Sequence, residues 1–133
     1  MSVFTTAEID YLRSQRLCRL ATAGADGHPH VVPTSFRHNA DLDTIDVGGH
    51  SFATRKKWRD AIANPWVALV VDDLESVDPW RPRMLEVRGR VEALETGGTD
   101  LGPGFDDAMF RVHPTRVQSF GLNGEGTPRS RRV

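Results

Sequence analysis

Apolar positions recur along this chain at two different periods, and the switches between them mark its elements. Between Thr6 and Gln15, Ile9 and Leu12 lie three apart on one face, Thr5 or Thr6 can cap, and Glu8 falls in the first turn. That pattern predicts a short amphipathic helix. Leu17 to Ala23 then predicts a strand, closed by the hairpin signal Ala25-Asp26-Gly27. Extended structure resumes over His28 to Arg37, with Val32, Thr34 and Phe36 on one face. Pro33 has no amide to donate, so this strand is expected at an edge or at a bulge. After a turn at Asn39 to Asp43, Thr44 to Gly49 predicts a third strand.

The second half follows the same logic. Ala53 to Ala63 predicts a helix, with Trp58 and Ile62 four apart and a stop at Asn64-Pro65. Trp66 to Val71 is a continuous apolar run of strand length, expected to be buried on both faces. Asp72 to Arg83 predicts a polar loop. Leu85 to Leu94 alternates cleanly, with Leu85, Val87, Val91 and Ala93 inward and Glu86, Arg88, Arg90 and Glu92 outward. A glycine-rich connection over Gly97 to Asp107 leads to a last strand, Phe110 to Phe120, broken at Pro114. About six short strands and two helices without βαβ alternation favour a mainly β fold, an antiparallel barrel, over a doubly wound sheet. A single domain over residues 1–122 is expected, with the polar, Gly/Arg-rich residues 123–133 as a mobile tail.

Composition narrows the function. With 133 residues, 38% hydrophobic and 26% charged, the chain has the make-up of an ordinary globular domain. A net charge of −1 argues against a broad electrostatic grip on nucleic acid. One cysteine, Cys18, leaves no disulfide framework and no cysteine-rich zinc site. Apolar runs stop well short of a membrane span and Met1 to Tyr11 lacks a signal-peptide core, so a cytoplasmic protein is expected.

The main chemical lead is Thr54-Arg55-Lys56-Lys57-Trp58-Arg59. The chain's 17 basic residues include only two lysines, and those two are adjacent. The cluster falls in the first turn of a helix, where the macrodipole and unpaired amides already carry positive charge and each further cation is unfavourable. An anion bound there reverses the sign of those terms, which points to a phosphate or phosphodiester; a solvated basic turn paired with nearby acids is the alternative. Gly48 and Gly49 would let the backbone approach such a ligand. Trp80, between Pro79 and Pro82, is costly to leave in water; it can plug the core's edge, pack on a partner subunit or cover a planar ligand. Other candidates are weaker. His28 and His30 share a strand face without further metal ligands, so no metal site is expected. His50 and His113 read as structural, and Cys18 as a packed side chain. No Gly-x-Ser-x-Gly elbow is present, and Gly102-Pro103-Gly104 lacks the third glycine of a dinucleotide fingerprint.

Taken in order, these segments resemble a known family. Gly27-His28-Pro29-His30-Val31-Val32-Pro33, Thr44-Ile45-Asp46-Val47-Gly48-Gly49-His50, and Thr54-Arg55-Lys56-Lys57 with Asn64-Pro65 seven residues on look like the pyridoxamine 5′-phosphate oxidase-like split β-barrel proteins. Val77-Asp78-Pro79-Trp80-Arg81-Pro82-Arg83 and His113-Pro114-Thr115-Arg116-Val117-Gln118-Ser119-Phe120-Gly121-Leu122 are similar to the subgroup assigned to the deazaflavin coenzyme F420. The resemblance implies a six-stranded antiparallel split β-barrel that forms a homodimer, with cofactor sites in grooves at the subunit interface. It places the cofactor phosphate at Lys57, beside Lys56 and Arg55. The ring system falls along His30, Val32, Pro33 and Thr34, the tail over Gly48 and Gly49, and Trp80 comes from the opposite subunit. The ending Ser119-Phe120-Gly121-Leu122 lacks the Arg- and Trp-containing signature of true pyridoxamine oxidases, which argues against vitamin B6 oxidation. The function implied is transfer of hydride from reduced coenzyme F420 to a small, unsaturated organic acceptor. An FMN-dependent reductase or oxidase and a non-catalytic flavin or deazaflavin carrier are the alternatives. No residue stands out as a general acid, and none is assigned as catalytic.

Overall fold

The computed structural model describes residues 1–123 and 128–133. Helix α1 (Thr6–Ser14) is followed by strands β1 (Leu17–Ala23), β2 (Pro29–Asn39) and β3 (Thr44–Gly48), helix α2 (Lys56–Ala63), and strands β4 (Trp66–Ser76), β5 (Arg81–Leu94), β6 (Met109–Phe120) and β7 (Arg129–Arg132). All pairings are antiparallel, in the order β3-β2-β1-β4-β5-β6-β7, and β3 also pairs with β6. That last ladder closes β1 to β6 into the expected six-stranded barrel, which has no free edge along most of its circumference. Inward positions at every second residue fill it, including Leu20, Val47, Leu69, Val87 and Val112, all essentially inaccessible to solvent.

Two features of the barrel set up the site. β1 pairs with β2 over Pro29 to Ser35, but β3 pairs only with Ser35 to Asn39. The first half of β2 therefore has one open side, and Pro33 sits there, where a missing amide costs no ladder bond. Across the sheet, in β5, Gly89 faces the register shift between β5 and β6, and a Cβ there would run into the His113 carbonyl. This is the break expected at Pro114, made as a bulge rather than a gap.

Several expectations need correction. Asp72 to Arg83 is a hairpin, not a loop: β4 continues to Ser76 and β5 begins at Arg81. Cross-strand pairing holds these polar ends, with Arg83 bound to Asp73 at 2.6 and 2.9 Å and to Glu75 at 3.2 Å, and the Tyr11 hydroxyl donating to Asp73 at 2.9 Å. Trp66 to Val71 is buried on one face only; Val67, Leu69 and Val71 point inward while Trp66 is 55% exposed. The predicted helix over Ala53 to Ala63 is split, a 3₁₀ turn at Phe52–Thr54 giving way to α2 through Arg55 in an extended conformation.

The expected mobile tail, 123–133, is partly a strand. Residues 124–127 lie outside the described residues, but Arg129–Arg132 pairs with Arg116 to Ser119 of β6. From β7, Arg131 reaches Glu8 with bonds of 2.6 and 3.0 Å and the Val3 carbonyl at 2.6 Å. Glu8 is 2% exposed and also completes the capping box of α1 with Thr5. Burial raises its pKa, but Arg131 and the Thr5 amide more than offset that, and the carboxyl is held below its ordinary value.

Candidate functional site

The open side of β2, the end of β3 and the start of α2 enclose a groove of about 610 Å³. Nine of the ten residues predicted for the site line it: His30, Val32, Pro33 and Thr34 from β2, Gly48 and Gly49 from β3 and its end, and Arg55, Lys56 and Lys57 from α2. Trp80 does not. It stands 65% exposed at the tip of the β4–β5 hairpin, outside the groove of its own chain.

The three cations have different fates. Arg55 occupies the N-cap position of α2 with no side-chain cap bond. The amides of Trp58 and Arg59 return to the Arg55 carbonyl, at 3.1 and 3.4 Å. Among the described residues, the amides of Lys56 and Lys57 have no hydrogen-bond acceptor, as at any helix start. Lys56 is neutralised: its ammonium holds both oxygens of Asp60 one turn on, at 2.9 and 3.0 Å. Asp60 is 5% exposed and also accepts from Thr22 at 3.0 Å. Lys56 and Thr22 together hold its pKa below the ordinary aspartate value, against the pull of burial. Arg55 and Lys57, by contrast, have no carboxylate partner among the described residues. Lys57 lies over the Phe52 ring, 4.8 Å from its centre. Burial, and then Arg55, lower its pKa. Two uncompensated cations and two free amides therefore converge on one end of the groove, the arrangement that binds a phosphate.

Gly48 has a packing role besides lining the groove. A Cβ on Gly48 would come within 2.6 Å of Leu101 Cδ1 and 3.1 Å of Phe105 Cδ2, so its bareness seats the loop between β5 and β6. Phe105 also faces His50, with ring centres 6.0 Å apart. His50, predicted to be structural, is exposed and lines the groove, as do Ser35 and Leu17, which sequence reasoning missed. The position of His50 directly after Gly49 was the available signal. Asp60 was missed as well, although its spacing of four from Lys56 pointed to a pair. Elsewhere, His28 is bound to Asp26 at 3.1 Å, outside the groove. Cys18 is fully buried, and burial pushes its thiol up to about 12, so it is inert packing. A groove with one apolar wall, a phosphate-type end and an adjoining imidazole suits a flavin or deazaflavin.

Comparison with known proteins agrees with this geometry. Residues 5–119 match the family described as pyridoxamine 5′-phosphate oxidase. The chain is 42% identical over 122 residues to a 5a,11a-dehydrotetracycline/5a,11a-dehydrooxytetracycline reductase of Streptomyces rimosus, covering 92% of this chain and 86% of that one. Among solved structures it is similar to an F420 reductase, with a TM-score of 0.64 and 27% identity over 81% of this chain and 93% of the other. The fold alone is shared with the conserved hypothetical protein Rv2991 of Mycobacterium tuberculosis, with a TM-score of 0.70 and 21% identity over 91% of this chain and 87% of that one. With the barrel, the groove and the reductase relative in agreement, the chain belongs to the pyridoxamine 5′-phosphate oxidase family and is an oxidoreductase.

Proposed function

We propose that the protein uses reduced coenzyme F420 to reduce a small unsaturated organic acceptor, working as a homodimer with one groove per subunit. The carrying observation is the pair Arg55 and Lys57, cations without carboxylate partners among the described residues, at the end of a groove lined by β2. Folding alone gives no reason to leave them so; a bound phosphodiester does. When bound, the deazaflavin supplies the hydride, and the acceptor takes its proton from solvent. The chain's own part is positional. Arg55, Lys57 and the first amides of α2 hold the anionic end. Val32, Pro33 and Thr34 form the wall for the ring, so that one face is dry and the other is open to the acceptor. Trp80 of a second copy borders the opening. The similarity to an F420 reductase favours the deazaflavin over FMN. The Streptomyces rimosus relative is a dehydrotetracycline reductase by name, which supports an unsaturated organic acceptor for this chain.

Titration of the protein with coenzyme F420 and with FMN, followed by tryptophan quenching, tests the cofactor. Turnover of reduced F420 against a panel of unsaturated ketones tests the reaction. F420 binding tighter than FMN, with acceptor-dependent oxidation, is the expected result. Tighter FMN binding would replace the cofactor in this reading, and tight binding with no acceptor-dependent turnover would make the protein a carrier.

A further inference from the structure

Lys56 and Lys57 are the chain's two lysines, and the fold leaves them chemically unequal. An amine attacks as a nucleophile only after shedding its proton, so the surroundings of each ammonium decide which one reacts. Lys56 is held as an ammonium by both oxygens of Asp60, at 2.9 and 3.0 Å. Acylating it would break both bonds and leave that carboxylate, 5% exposed, with the Thr22 hydroxyl as its remaining hydrogen-bond donor among the described residues. Lys57 meets the opposite conditions. Its ammonium lies against the ring of Phe52, 4.8 Å from the centre, and Phe52 is itself fully buried. An aromatic face stabilises a cation less than a carboxylate does. Arg55, lining the same end of the groove, adds a like charge. Burial first and Arg55 second lower the Lys57 pKa, which raises the share of free amine near neutrality.

We infer that Lys57 is an acylation site for acyl phosphates, which the basic end of the groove recruits by their phosphate and whose carbonyl carbon the Lys57 amine attacks. This rests on the proposed reading of that end as an anion site and extends it from binding to covalent chemistry. A phosphate held between Arg55 and Lys57 carries its acyl carbon one bond beyond the bridging oxygen, within reach of Nζ. The group that grips the phosphate and the group that attacks are one side chain in its two protonation states. In the step, the Nζ lone pair forms a bond to the carbonyl carbon. The bond from that carbon to the bridging oxygen breaks, and orthophosphate leaves with the electron pair. The surplus proton of the amine passes to the orthophosphate, so atoms and charge balance and no oxidant or reductant enters. Arg55 keeps its charge throughout and steadies the leaving oxygen. The product is a neutral amide on Lys57. Of the two groove cations without carboxylate partners among the described residues, Arg55 alone remains, so the modified groove holds an anionic cofactor more weakly. A cofactor already bound there shields the amine, so acylation falls on the empty protein and removes it from use when acyl donors are plentiful.

The test incubates the full chain with acetyl phosphate and follows acetylation by mass spectrometry. Cleavage after arginine releases Lys56-Lys57-Trp58-Arg59 as one peptide, whose fragments report both lysines together. Lys57 should acetylate about tenfold or more faster than Lys56. Its rate should saturate in acetyl phosphate and fall when orthophosphate is added. Arg55→Met should abolish the saturation, and Asp60→Asn should raise the labelling of Lys56 by about threefold or more. Acetylated protein should bind F420 about tenfold or more weakly, read by tryptophan quenching. Equal labelling of the two lysines in the wild type, or labelling of Lys57 that neither saturates nor yields to orthophosphate, would overturn the inference and leave the cofactor reading intact. Selective, phosphate-protected acetylation that does not change F420 affinity, or that occurs in a chain binding neither F420 nor FMN, would support the acyl phosphate site and overturn the placing of the cofactor there.

Discussion

Replacing Arg131 by methionine tests how far β7 is part of the fold. The change keeps the aliphatic stem but leaves Glu8, 2% exposed, with only the Thr5 amide and its immediate surroundings in place of a two-bond guanidinium. Breaking a buried ion pair on one side costs about 3–5 kcal/mol. The Arg131 side chain is 34% exposed, so water at that end recovers part of the loss, and about 2–3 kcal/mol is the working figure. Unfolding entropy for a chain of this length is about 0.28 kcal/mol/K, which converts that cost to a fall in Tm of about 7–11 °C. With an m-value of about 1.5 kcal/mol/M, the urea midpoint moves down by about 1.3–2 M.

The assay compares thermal and urea unfolding of wild type, Arg131→Met and Arg132→Met at equal protein concentration, since any dimer makes Tm concentration-dependent. Arg132 is exposed and has no partner among the described residues, so its variant should stay within about 0.5 kcal/mol of wild type. Acid adds a second readout. In wild type the Glu8 pKa lies below its ordinary value of 4.5, so its stabilisation is present above that pH and is lost as pH falls through the folded value. Without Arg131, burial pushes the same carboxyl up, and the variant gains back ground as Glu8 protonates. The deficit should therefore be largest near neutrality and narrow on acidification. An Arg131→Met protein melting within 2 °C of wild type, or a deficit that widens in acid, would refute this account of β7.

Three further outcomes are expected. Lys57→Met should weaken cofactor binding by about tenfold or more while leaving the apo Tm unchanged or raised, because the fold disfavours that charge; Lys56→Met should instead lower the apo Tm by stranding Asp60, as isothermal titration and calorimetry of both variants will show. Asp43, Asp46, Asp60 and Asp73 all have lowered pKa values in the fold, so stability should hold above the ordinary aspartate value of 3.8 and fall as pH drops below it, read as a declining urea midpoint between pH 5 and pH 2.5. Gly48→Ala should cost about 1–3 kcal/mol in urea unfolding, since the new methyl meets Leu101 and Phe105.

Much of this was legible in the sequence because it is local. Turn signals bracketed β1 and β3, period-2 alternation located most of β5, Pro33 announced the open side of β2, and the adjacent lysines marked the groove's basic end. What escaped depends on distant partners. The ends of β4 and β5 are polar and read as a loop until Arg83 is seen to bridge Asp73 and Glu75 across the hairpin. β7 is four residues of arginine and serine, with no apolar rhythm, and becomes a strand only because β6 and Glu8 await it. Trp66 to Val71 read as doubly buried because sequence shows that a face is apolar, not which molecule covers it. In the site, the cation cluster was visible but its division was not: Asp60 pairs with Lys56, whereas Arg55 and Lys57 have no carboxylate partner among the described residues, an arrangement set by the turn of α2 and the position of Thr22.

The tight seat of Gly48 has a consequence for anyone who scans this protein by mutation. Scored by survival or colour alone, damage at Gly48 and damage at Lys57 will look identical, and the two residues are near neighbours around one opening. Yet the first disturbs how a loop docks, whereas the second, on the proposed reading of the groove, removes a handhold for a guest. A library sorted once for yield of folded protein and once for retained fluorescence of the guest would pull the two apart, and would redraw the border between architecture and recognition residue by residue.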